Sequence, residues 1–134
     1  MSGETDLAAL LSGMRPELNP GEYVFCTIEG RVVPPGLHPV ATVAEAEGLT
    51  LVLPRPEADE AALPYDYVAG WITLRIHSAL DAVGLTGAFA RELAGAGLSC
   101  NVIAGYHHDH LFVPVERAPE AVALLEGLAA RSAS

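Results

Sequence analysis

The feature that most constrains the fold is an order of elements that the chain spells twice. In the second half, Trp71 to His77 alternates, with Ile72, Leu74 and Ile76 on one side and Trp71, Thr73, Arg75 and His77 on the other, the period of a strand. Leu85 to Ala96 changes to helical spacing. Leu85, Phe89, Leu93 and Ala96 form one stripe, and Gly97 is placed to end it. Ser99 to Tyr106 reads as a strand, Tyr106 to Asp109 as a tight reversal, and His110 to Val115 as the returning strand. Ala118 to Ala130 reads as a helix with Pro119 in its first turn and Val122, Leu125, Leu128 and Ala129 inward. The order is β-α-β-β-α. Pro114 requires the returning strand to end early or to lie at an edge.

The first half gives nearly the same order. Tyr23 to Glu29 is a strand, Val40 to Val43 a weak strand and Leu49 to Leu53 a strong one, with a turn at Glu47-Gly48. Pro56 to Leu63 is a short helix with Glu57, Asp59 and Glu60 at its positive end. Where the first helix of the pattern belongs there is instead a loop, Gly30 to Pro39, whose Pro34, Pro35 and Pro39 lack the donors that a helix or sheet needs. An extra helix, Thr5 to Gly13, capped by Thr5 or Asp6, precedes this half. Residues 1–67 and 68–134 therefore form an internal repeat of two subdomains. With an added edge strand, each repeat gives an α+β, ferredoxin-like βαββαβ arrangement: antiparallel sheets with helices on one face, the two subdomains intertwined.

Charge excludes some function classes. The formal net charge is −10, and all seven basic residues are Arg. Scattered Arg on an acidic chain cannot supply the basic patch that binds nucleic acid or an anionic membrane surface. Residues 1–67 carry 11 acids and 3 Arg and residues 68–134 carry 6 acids and 4 Arg, an asymmetry that reads as solubility. The N-terminal residues have neither the cationic nor the apolar stretch of a signal peptide, and no apolar run is long enough to span a bilayer, so a cytoplasmic location is expected. Cys26 and Cys100 lie in apolar runs and read as small buried hydrophobes; their distance apart in sequence makes no zinc pattern.

His107-His108-Asp109-His110 is the densest cluster of potential ligands. His108 and His110 share one side of a strand, but alternation places no third ligand beside them, and His38 or His77 would have to arrive from elsewhere. The competing reading is a polar hairpin turn held by Asp109. Ser78, His77 and Asp81 offer a nucleophile, a base and an acid, yet there is no G-x-S-x-G elbow and no phosphate loop, and Cys100 sits in surroundings that raise a thiol pKa. Trp71, Tyr65 and Tyr67 lie near the joint of the halves, either walling a pocket or packing at a seam. Arg75 is set to pair a ligand carboxylate or a surface acid.

Several stretches, taken with their order and spacing, resemble the small tandem ACT-like proteins of the ACT-domain family over residues 7–128. They are ELNPGEYVFCTIEG (17–30), EGLTLVLPRPEAD (47–59), HSALDAVGLTGAFARELAGAGLSCNVIAGY (77–106) and DHLFVPVERA (109–118). The resemblance implies a regulatory module that binds a small effector, usually an amino acid, at an interface between domains, with no cofactor and no catalytic residues. It places the contacts on the loop after a first strand, His77, Ser78, Ala79, Leu80, Val83, Gly84 and Leu85, and on the start of the next strand, Asn101, Val102 and Ile103. The loop ends at a helix N-terminus, whose free N–H groups favour a carboxylate. Ser78 and Asn101 add hydrogen-bonding groups. Ser78-x-x-Asp81 also fits an internal capping box. No catalytic domain accompanies the repeats, so the chain is expected to act as a stand-alone sensor. Open sheet edges make a homodimer the expected assembly. The alternatives are a metal-dependent enzyme centred on His107–His110 and a ligand-free dimeric interaction protein.

Overall fold

The structure is a computed structural model that describes residues 6–76 and 82–133. The chain orders its elements as α1 (Leu7–Gly13), β1 (Arg15–Ile28), β2 (Ala41–Glu45), β3 (Gly48–Pro54), α2 (Arg55–Glu60), β4 (Val68–Arg75), α3 (Leu85–Gly95), β5 (Asn101–Ala104), β6 (Asp109–Pro114) and α4 (Ala118–Ser132), with a short 3-10 turn, Val115–Arg117, before α4. This is the expected repeat: β1-loop-β2-β3-α2, then β4-α3-β5-β6-α4. The strands follow the order β2-β3-β1-β4-β6-β5. The fold is α+β, an antiparallel sheet with ferredoxin-like repeats.

Two compact units divide the chain. One comprises residues up to Pro20 together with Gly70 onward, and the other Gly21–Ala69. β1 contributes to both, and its length is the main departure from the sequence reading, which began the strand at Tyr23. Pro16, Pro20 and Gly21 are residue types that ordinarily interrupt a strand. The register with β3 begins only at Tyr23, opposite Pro54, so neither proline interrupts that ladder. Gly21 takes φ +96°, a conformation that suits glycine, where β1 passes from one unit to the other.

In the Gly21–Ala69 unit the core face carries Val24, Cys26, Leu49, Leu51 and Leu53, closed by Ala58 of α2. The loop that stands in for a helix closes this core too. Val33 and Leu37 pack against it, and Glu57 of α2 accepts from the His38 backbone N–H at 2.7 Å. The β2–β3 hairpin turns at Ala46-Glu47, one residue earlier than the sequence suggested, with Glu45 opposite Gly48. A Cβ at Gly48 would lie 2.4 Å from the Ile28 carbonyl oxygen, so only glycine fits there.

In the other unit Ile72, Leu74 and Ile76 of β4 and Leu111 and Val113 of β6 meet Leu85, Phe89 and Leu93 of α3 and Ala118, Ala121, Leu125 and Ala129 of α4. The predicted inward stripes are the ones observed, with Val122 and Leu128 half-buried at their margin. Helix α1 was expected as an appendage of the first half. Its Leu10 and Leu11, with the following Met14, are buried in this second core instead. Asp6 caps it, accepting from the Ala8 N–H at 3.2 Å. β6 ends at Pro114 as expected, but it lies between β4 and β5 rather than at an edge.

Candidate ligand-binding site

The first group of sequence-predicted residues leads into α3. Helix α3 starts at Leu85, which is buried and anchors the helix to the core. Its N-cap is Gly84 at φ +94°, which has no side chain of its own, and no other described side chain caps the first-turn N–H groups. Val83 is 83% exposed. Gly84 has a second constraint: a Cβ there would come within 3.1 Å of Leu7 Cδ2 of α1. His77, Ser78, Ala79 and Leu80, with Asp81, lie outside the described residues.

The second group opens β5. Asn101 is exposed and stands opposite Phe112; Val102 stands opposite Leu111, and Ile103 opposite His110. Val102 packs against the core, so only Asn101 and Ile103 face the side of the sheet away from the helices. Among the described residues, Gly84 and Leu85 are not brought together with Asn101 and Ile103 within one unit. Phe112 stacks on Trp71, 6.3 Å between ring centroids, which sets Asn101 beside the start of β4. Gly84 follows the end of β4, and α3, about 16 Å long for its 11 residues, intervenes before β5 begins.

The helix-free face of this unit carries a polar network that the sequence reading did not identify. Trp71 Nε1–H donates to His110 Nδ1 at 3.0 Å. Thr73 Oγ1 lies 3.2 Å from the same nitrogen and accepts from Asn19 Nδ2 at 2.9 Å; Asn19 also donates to the Trp71 carbonyl at 3.2 Å. Because an indole N–H can only donate, Nδ1 is the acceptor and the imidazole proton sits on Nε2. Burial lowers the His110 pKa, with neighbouring His108 acting in the same direction against Asp109. Alternation had put Trp71 and Thr73 on one face. Their partner His110 needed the strand order, and Asn19 was hidden in the proline-bearing start of β1.

The described residues of the hairpin cluster do not gather into a metal centre. Among the described residues no group of three or more His, Cys, Asp or Glu side chains converges. Asp109 is half-buried, and desolvation raises its pKa. The reversal is closed by the backbone, Gly105 N–H to the His108 carbonyl at 2.9 Å. Cys26 and Cys100 are free thiols, and burial pushes Cys100 up to about 11, so it is no nucleophile at neutral pH. Arg75 pairs with Glu17 at 2.8 Å, the surface-acid alternative. The joint aromatics divide between the units: Trp71 joins His110, whereas Tyr65 bonds Arg55 and Asp59, and Tyr67 packs against Phe25.

The fold and the glycine-started helix define a class, the small α+β modules of the ferredoxin-like type. The chain belongs to the ACT domain family: one ACT domain profile matches residues 2–70 and another matches residues 67–127. Among solved structures, a Vibrio cholerae protein of unknown function, described as a possible transport protein, is 50% identical with a TM-score of 0.85, over 92% of this chain and 95% of that one. An Agrobacterium tumefaciens protein is 17% identical with a TM-score of 0.67, over 87% and 89% of the two chains. The regulatory subunit of aspartate kinase from Thermus thermophilus is 10% identical with a TM-score of 0.62, over 84% and 95%. No curated protein sequence matches. ACT domains are typically regulatory modules that bind small molecules, and no described helix is long and apolar enough to cross a membrane.

Proposed function

We propose that this protein is a stand-alone, cytoplasmic sensor of an amino acid, regulatory rather than catalytic, built from repeats at 1–67 and 68–134. The observation that carries this is the start of α3. Gly84 brings no side chain of its own to the helix start, no described side chain caps it, and the first-turn N–H groups with the helix dipole suit a carboxylate. Asn101, exposed at the start of β5, supplies a donor and an acceptor for an ammonium and carboxylate pair. In this reading the effector contacts the His77–Leu85 loop of one copy and Asn101–Ile103 of a second, in a homodimer; the separation of Gly84 from Asn101 along one unit supports it. Binding thereby becomes a change in assembly.

The test is thermal denaturation of the whole chain against each of the twenty amino acids, with sedimentation alongside. A ligand at a hundred times its dissociation constant adds about 2.7 kcal/mol and moves the midpoint by several degrees. The expected result is a shift with one amino acid or a close set, lost in Asn101→Ala and accompanied by dimer formation. A flat response to all twenty sinks the reading.

A further inference from the structure

We propose that the Gly21–Ala69 unit carries a second, separate site, for a small organic amine, on the side of its strands away from α2. Five of the residues around it follow from strand register. Phe25 and Thr27 lie on β1, Thr27 opposite Thr50 of β3, and Thr50 stands opposite Val43 of β2, with Glu45 at the same strand's end. The core side chains Val24, Leu49, Leu51 and Leu53 point the other way, towards α2, while Cys26, of the same core, also borders the hollow. This second face holds a hollow of about 650 Å³, rimmed further by Pro64, Tyr65 and Asp66. That volume is in the range of pockets that hold small molecules.

The lining selects the ligand. Phe25, Val43 and Tyr65 give apolar and aromatic surface, and the charged residues lining the hollow, Glu45 and Asp66, are both acids. The neighbouring cation, Arg55, does not neutralise them. Its Nε donates to Tyr65 Oη at 2.8 Å and its Nη1 to Glu22 at 3.0 Å. Thr50 Oγ1 donates to Glu45 Oε1, which orients the carboxylate and leaves Oε2 to accept from a ligand. An ammonium or guanidinium on a short apolar body meets each feature: carboxylates for the charge, ring faces for the cation and for the body, and a threonine hydroxyl. A free amino acid does not, because its own carboxylate would face two acids. The site thus takes decarboxylated amines and rejects their parent amino acids, and it stands independently of the effector reading above.

The experiment is isothermal titration of the full chain with agmatine and tyramine, and with arginine and tyrosine as their carboxylated counterparts. The amines are expected to bind at least about 10-fold more tightly than the amino acids. Glu45→Gln and Asp66→Asn should each weaken amine binding about 3-fold, as should raising the salt, and Phe25→Leu should do so by a similar factor while preserving the fold. Asn101→Ala should leave amine binding intact, whatever its effect on an amino-acid effector. Equal affinity for amine and parent amino acid, absence of amine binding, indifference to both acid substitutions, or loss of amine binding in Asn101→Ala would each overturn the proposal.

Discussion

Corresponding positions of the two hairpins can be matched by register. Val43 opposite Thr50 in one unit corresponds to Ile103 opposite His110 in the other, and Glu45 opposite Gly48 corresponds to Gly105 facing His108. The same backbone is filled by complementary pairs. Where β6 carries the large His110, the β5 side is Gly105, at which a Cβ would lie 3.2 Å from His110 Nε2 and 2.8 Å from the His108 carbonyl. Where β3 carries the small Thr50, the β2 side is Glu45, and the two bond to each other. One face spends its polar groups on its own network through Trp71, Thr73 and Asn19. The other leaves a hollow edged by acids. The two faces thus differ in how the matched cross-strand positions use their side chains: one closes in a hydrogen-bonded network, the other borders a hollow.

The largest expected effect tests the closed face. Phe112, 1% exposed, lies beneath Trp71, and its counterpart in the open unit is Val52, which is fully buried. Phe112→Ala should cost about 3–5 kcal/mol of unfolding free energy in urea, and Val52→Ala about 1–3 kcal/mol. Equal costs would break the contrast between a packed face and an open one. Next comes Gly105→Ala, expected to lose about 1–3 kcal/mol because the added carbon meets backbone and the His110 ring. Glu45→Ala, on the exposed counterpart, should change stability by less than about 1 kcal/mol in the same titration.

The smallest effect is the pH response of the network. The His110 pKa is lowered in the folded state, so the unfolded chain takes up the proton first as pH falls. Stability from this group is complete above the ordinary histidine value of 6.5 and declines as pH drops from there towards the folded pKa. Asp109, raised above 3.8, acts with the opposite sign at lower pH, holding its proton better in the folded chain. Protonating His110 Nδ1 must displace the indole N–H, and Trp71 is the chain's single tryptophan, so its fluorescence reports the step directly. His110→Gln should remove the transition from the fluorescence titration. A transition that persists in that variant would assign it to another group.

Much of the fold was legible because period carries it. Ile72, Leu74 and Ile76, the Leu85–Phe89–Leu93 stripe and the Leu125–Ala129 stripe needed only local spacing, and the Pro34–Pro35–Pro39 loop needed only missing donors. The first half of β1 was not legible, since Pro16 and Pro20 argue against a strand on local grounds and which ladder they must serve depends on the register with β3. The candidate site divided in the same way. Gly84 as a helix start was readable from its position. That Asn101 stands at the far end of the unit was not, because it follows from the register of β5 on β6 and the stacking of Phe112 on Trp71.

By itself the sequence determined the repeat, the two apolar faces and the acidic charge, because each is a property of neighbours along the chain. Tertiary structure alone decided that α1 joins the second core, that His110 accepts from Trp71 beside Thr73, and that Glu45 is oriented by Thr50. Each of these depends on a partner brought across strands or helices, and local spacing holds no information about which partner arrives.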